Sequence, residues 1–170
     1  MKKIILLLFI TNFVSAQECK FIIDEVDDFT KVEKLKTKYQ SVAEGNTGGV
    51  IRFSFFKGSS TLLCIEYYIS QFKSMVVGVN DNLLIMLKDD TVIELSPNDV
   101  YSGDLNSGGT LSSTTLRVNY PTSIDNIQKI KNIGIKKIRL HTSKYYYDFD
   151  VTKEKWIKLL NESIDCFLNK

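Results

Sequence analysis

Apolar and polar positions along the chain follow two periods, and the change from one to the other is clearest after residue 110. Residues 111–120 read as a strand that ends at Pro121, which cannot continue a ladder. Ser123 is placed to cap a helix carrying Ile124, Ile127, Ile130 and Ile133 on one narrow stripe. Gly134 supplies the left-handed stop. Ile138 and Leu140 then alternate with Lys137, Arg139 and His141, and after a turn at 142–144 the chain returns through Tyr145, Tyr147 and Phe149. Thr152 opens a last helix with Trp156, Leu159, Leu160, Ile164, Phe167 and Leu168 on one side.

The earlier chain is strand-rich. Residues 19–26 form a strand with Cys19, Phe21 and Ile23 on one face. Residues 31–39 set lysines opposite Leu35 and Tyr39, as an edge strand does, with a short helix as the alternative. Runs 50–56 and 61–69 are joined by Lys57-Gly58-Ser59-Ser60 into a hairpin. The second run is apolar on both faces, so it is expected at the sheet centre. A further strand is expected near 75–79, and a hairpin from 83–87 and 92–95 across Lys88-Asp89-Asp90-Thr91. Residues 96–110 read as the longest irregular stretch, a surface loop of the kind that carries binding residues. The elements specify an α+β fold: a mostly antiparallel sheet of about eight to ten strands covered by two helices near the C-terminus.

Residues 1–16 have the form of a secretory signal peptide. Lys2 and Lys3 precede an apolar run at 4–10, and Val14-Ser15-Ala16 fits a cleavage site. The run is too short to span a bilayer. Gln17 and Glu18 before Cys19 do not suit lipidation, so the expected product is residues 17–170, one domain, secreted or periplasmic, with no stable membrane span after signal removal. The 22 basic residues fall to 20 once Lys2 and Lys3 are gone, matching the 20 acids. No net field then remains to attract nucleic acid. Export also takes Cys19, Cys64 and Cys166 to an oxidising compartment. Three thiols allow one bridge in three pairings. Cys166 flanks the last helix stripe, and Cys64 is the favoured partner because its strand is expected under that helix; Cys19 is the alternative.

The stretch Glu25-Val26-Asp27-Asp28-Phe29-Thr30-Lys31 with Lys36-Thr37-Lys38, the 83–95 hairpin and the Ile138-Arg139-Leu140 strand resemble small secreted proteins of Bacteroidota. The resemblance implies export and an α+β fold, and it carries no reaction and no site residues.

Candidate chemistry is sparse. His141 is the only histidine, which removes two-histidine metal sites, and no Gly-x-Ser-x-Gly elbow, phosphate loop or dinucleotide fingerprint occurs. No catalytic, metal or cofactor-binding residues are therefore assigned. Asp104, Asn106 and Gly109 mimic half a calcium loop, but its closing glutamate falls at Thr115. Asp148 and Asp150 share a strand face and are expected to pair across the hairpin with Lys137, Arg139 and His141. Tyr145 and Tyr147 should enter the core and Tyr146 should face outward. The leading expectation is a non-enzymatic exported module binding a protein or cell-envelope ligand, with Asp99, Tyr101, Asp104, Asn106 and Tyr146 as the candidate surface. The alternatives are a hydrolase using Asp148 and Asp150 with Tyr146, and a carbohydrate-binding module using exposed tyrosines.

Overall fold

The computed structural model describes residues 19–46, 48–71, 73–108 and 111–170; the expected signal at 1–16 lies outside them. The elements run β1 (Phe21–Val26), β2 (Glu33–Thr37), β3 (Gln40–Gly45), β4 (Val50–Lys57), β5 (Thr61–Ile69), β6 (Val76–Val77), β7 (Leu83–Leu87), β8 (Val92–Leu95), β9 (Tyr101–Ser102), β10 (Asp104–Gly108), β11 (Leu111–Pro121), α1 (Ile124–Ile133), β12 (Ile135–His141), β13 (Tyr146–Asp150) and α2 (Glu154–Leu168). The fold is mostly antiparallel sheet with two helices. The main sheet has 11 strands, one more than the upper expectation, in the order β10-β11-β5-β4-β3-β13-β12-β7-β8, with β2 pairing β4 and β1 pairing β2 off that path. A separate pair joins β6 to β9.

Register explains the core. Ile51, Tyr67 and Leu116 lie opposite one another across β4, β5 and β11, as do Phe53, Ile65 and Val118, then Phe55, Leu63 and Tyr120. All nine are buried. The sheet bends around this inner face as a half-barrel. On α2, Leu160, Ile164 and Phe167 fill it, with the Phe167 ring 5.7 Å from that of Phe55. Each such side chain contributes roughly 1.5–3 kcal/mol when buried. The helix begins after Lys153, one residue later than expected, and Leu159 points to solvent, off the expected stripe. In α1 the Ser123 hydroxyl accepts from the Asn126 N–H at 3.1 Å, and Gly134 ends the helix at φ 83°. Ile127 and Ile130 are buried, while Ile124 is exposed at the first turn. A Lys131–Asp165 ion pair ties α1 to α2.

The sheet is unevenly stitched. β4 and β5 pair over eight positions, whereas β13 meets β3 at only two, Phe149 opposite Gly45 and Asp150 opposite Glu44. A Cβ at Gly45 would sit 3.1 Å from the Phe149 ring, so glycine lets that ring close over the junction without shifting. The seam is reinforced by Tyr67, whose ring lies 5.1 Å from Tyr147 and 5.3 Å from Phe149, and by the Lys153–Glu44 pair at 2.5 Å.

Three expectations are corrected. Residues 96–110 are not one irregular loop: β9 and β10 form within them, and β10 pairs with β11 from Asp104–Thr115 to Gly108–Leu111. Their polar, glycine-containing sequence lacks the alternation that marks a strand with one buried face. Tyr145 is exposed rather than buried, because the turn closes on it: Thr142 N–H donates to Tyr145 O at 2.7 Å, and the strand starts one residue later. The disulfide joins Cys166 to Cys19, with Cα atoms 5.4 Å apart, not to Cys64. Cys64 does belong to a central strand, but it faces away from the inner surface that α2 covers, beside Ser54 and Asn119. It is a buried free thiol, and burial pushes its pKa up. No helix among the described residues is long and apolar enough to cross a membrane.

Candidate functional site

The β12–β13 hairpin puts Lys137 opposite Asp150, Arg139 opposite Asp148 and His141 opposite Tyr146, all on the outer face of the sheet. β7 continues that face with Met86 beside Lys137 and Leu84 beside Arg139, and β8 adds Val92 and Glu94. The result is a cleft of about 210 Å³ lined by Leu84, Met86, Val92, Lys137, Arg139 and Asp148.

Its polar wall is built around one carboxylate. The Arg139 guanidinium donates to both Asp148 oxygens, Nε to Oδ1 at 2.6 Å and the second nitrogen to Oδ2 at 2.8 Å. Lys137 Nζ stands 3.3 Å from Oδ2. The hydrogen bond from Arg139, seconded by Lys137, holds the Asp148 carboxyl below its usual range against the opposing effect of burial. Arg139 also lies 4.3 Å over the Tyr146 ring, and His141 stacks obliquely on the same tyrosine at 6.1 Å. Arg139 and Lys137 thus share Asp148, with Asp150 opposite Lys137 and Glu94 opposite Leu84 on the same face, so the apolar floor is rimmed by charges of both signs. Asp148, kept ionised, has no proton to give as a general acid near neutrality. Of the expected cross-strand pairs, those of Arg139 and Lys137 form, both on Asp148; among the described residues Asp150 and His141 make no ion pair, and His141 meets Tyr146 instead.

The residues expected to form the ligand surface do not come together. Asp99, Tyr101, Asp104 and Asn106 lie around β9 and β10, while Tyr146 is on β13, with β11, β5, β4 and β3 between. Asp99 accepts from the Val100 N–H at 2.7 Å, and the Tyr101 hydroxyl is 3.0 Å from Asn98 Oδ1. Asp104 reaches Arg117 at 3.4 Å, and Asn106 is exposed on the outermost strand. Gly109 of the half calcium loop falls outside the described residues.

Arg117 belongs to a second polar constellation. Glu66, only 7% exposed, bridges Arg52 at 2.7 Å and Arg117 at 2.8 Å across β4, β5 and β11. Tyr39 is near enough to feel the Glu66 and Arg117 charges, and burial pushes its pKa up to about 12. The charges there are matched and mutually occupied, so the ladder is a sheet staple.

The cleft floor escaped the reading of the sequence, although a signal existed. All five residues of β7 are apolar. With Leu83, Ile85 and Leu87 buried on the inner face, Leu84 and Met86 must turn outward. Near the end of a sheet such a second apolar face has no strand or helix to cover it. Compared with protein-family models, curated proteins and solved structures, the chain matches none.

Proposed function

We propose that the protein is an exported, non-enzymatic module that binds a protein or cell-envelope ligand on the outer face of β8, β7, β12 and β13. The observation that carries this reading is the apolar floor of Leu84, Met86 and Val92 left open beside the Lys137–Arg139 pair. Apolar surface rimmed by charge is the usual anatomy of a recognition patch. The ligand it fits offers an apolar group to the floor and polar groups to the mixed charges of its rim. Export is supported by the Lys2-Lys3 leader pattern and the Cys19–Cys166 bridge, which suits an oxidising compartment. A hydrolase built on Asp148, Asp150 and Tyr146 is less well supported, since both Asp148 oxygens are taken up by Arg139 and Lys137 and neither is turned to a substrate. A sugar platform is disfavoured by Arg139, which occupies one face of the Tyr146 ring.

The test is capture from the cell envelope of the source organism with the wild-type protein and with Met86→Lys and Tyr146→Ser variants in parallel. The expected result is a ligand retained by wild type and lost by both variants at unchanged thermal stability. Equal capture by all three would refute the face assigned here, and capture of nothing would refute the binding reading itself.

A further inference from the structure

The two ends of the main strand path differ, β1 being a further edge off that path. β10 ends one side with polar residues, Leu105 its single exposed apolar side chain. β8 ends the other side next to a helix: a groove of about 310 Å³ runs between it and α1, lined by Thr91, Val92, Ile93 and Glu94 from the strand side and Asn126, Lys129 and Ile133 from the helix.

The main-chain groups facing that groove follow from the hairpin. The Leu87 N–H donates to Thr91 O at 2.8 Å, which makes Leu87–Thr91 a bonded pair. Bonded and non-bonded pairs alternate in an antiparallel ladder, so Ile85–Ile93 and Leu83–Leu95 are bonded as well. The N–H and C=O of Val92 and Glu94 therefore point away from β7. They present two donors and two acceptors at strand spacing, and the sheet path ends there. Side-chain features sort by face. Val92, 52% exposed, and Glu94 lie on the outer face, while Ile93 turns inward toward Ile133 across the groove. Glu94 accepts from Asn82 through Oε1 at 2.5 Å and has no basic partner among the described residues, and Asp89 at the groove mouth adds a second negative charge against Lys129.

We infer that β8 accepts an extended segment of a partner protein as an additional antiparallel strand, with a basic residue opposite Glu94, an apolar residue opposite Ile93 and an apolar residue opposite Val92. This rests on the proposed binding reading and names the partner as a peptide strand. Main-chain bonds to an exposed edge supply affinity in this mode, and alternate side chains supply selectivity. The order basic-apolar-apolar follows from direction: an antiparallel strand meets Glu94 before Val92. The Val92 partner would extend the apolar floor of Leu84 and Met86, so the added strand and the outer face form one continuous surface.

The probe is acetyl-Thr-Lys-Val-Val-Thr-amide, titrated into the full oxidised protein and followed by amide NMR. Shifts and slowed exchange are expected at the Val92 and Glu94 amides, which point into the new strand, with smaller changes at Ile93. A version N-methylated at the lysine and the second valine, the residues that meet Glu94 and Val92, should not bind. Glu94→Gln should weaken the parent peptide about two- to fivefold, the worth of one cross-strand charge pair. The inference is overturned if β8 amides do not respond at millimolar peptide, or if the N-methylated peptide binds equally well. Loss of envelope capture in Met86→Lys together with a silent β8 edge would overturn strand addition while leaving the outer-face reading intact. Silence in both experiments would remove both.

Discussion

Reducing the Cys19–Cys166 bridge is the perturbation with the largest calculable effect. The two cysteines are 147 residues apart, so the bond closes nearly all of the described chain into one loop. Loop-closure entropy for that length corresponds to about 5 kcal/mol lost from the unfolded state's freedom. In a domain of this size each kcal/mol moves Tm by about 2–4 °C, so reduction should lower Tm by roughly 10–20 °C. Cys19→Ser/Cys166→Ser should match the reduced protein, because both release the same loop. Cys64→Ser should not, because Cys64 is in no bridge. The assay is thermal unfolding by circular dichroism with and without reductant, paired with hydrogen exchange. Exchange separates two origins of any loss. A loop-entropy effect lowers protection across the whole sheet. Local detachment of β1, which pairs only with β2, would raise exchange in β1 alone. A Tm change under about 3 °C with intact β1 protection would refute the entropic reasoning.

Glu66→Gln removes the carboxylate that Arg52 and Arg117 share and should cost about 2 kcal/mol, a value held down because both guanidinium groups reach water; the urea midpoint reads it. Asp148 has a depressed folded pKa, so its contribution is present above the ordinary carboxylate range near 3.9 and lost as pH falls through its folded value. Urea titrations from pH 6 to pH 2 should therefore show a steeper acid loss in wild type than in Asp148→Asn, and parallel curves would contradict the pairing. The half-exposed His141 should tolerate replacement by Gln within about 0.5 kcal/mol, measured by the same midpoint. The buried Cys64 thiol, with its raised pKa, should resist alkylation in the folded protein at pH 8 and react once urea unfolds it; rapid labelling of native protein would place it at the surface instead.

Wherever a residue pattern had one buried face, the sequence was readable. The β4–β5 and β7–β8 hairpins, the Ser123 cap, the Gly134 stop and, Leu159 apart, the apolar stripe of α2 were visible as alternation or as helical spacing. β9 and β10 were not, since strands whose residues are polar on both sides carry no burial signal and are fixed by pairing with β6 and β11. The same limit governed the cysteines. Spacing placed Cys166 on the helix flank, but only the path of the sheet shows that Cys19 reaches it and that Cys64 faces away. The candidate site was half legible: Arg139 and Asp148 could be paired from register, whereas the open floor of Leu84, Met86 and Val92 depends on β8 being a terminal strand.

The two-residue junction between β13 and β3 gives the molecule a fault line. On one side stand β3, β4, β5, β11 and β10; on the other, β13, β12, β7 and β8 with the open face. A ladder of two pairs resists shear far less than the eight-pair ladder of β4 and β5. Thermal motion should therefore partition along it, the four-strand panel rocking as a unit while its internal pairings persist. A ligand gripping that panel alone would leave the rocking free, whereas one that also reached Glu44 on β3 would hold the two panels together, as the Lys153–Glu44 pair already does in part. Phe149, seated over Gly45, is the contact on which the two panels meet.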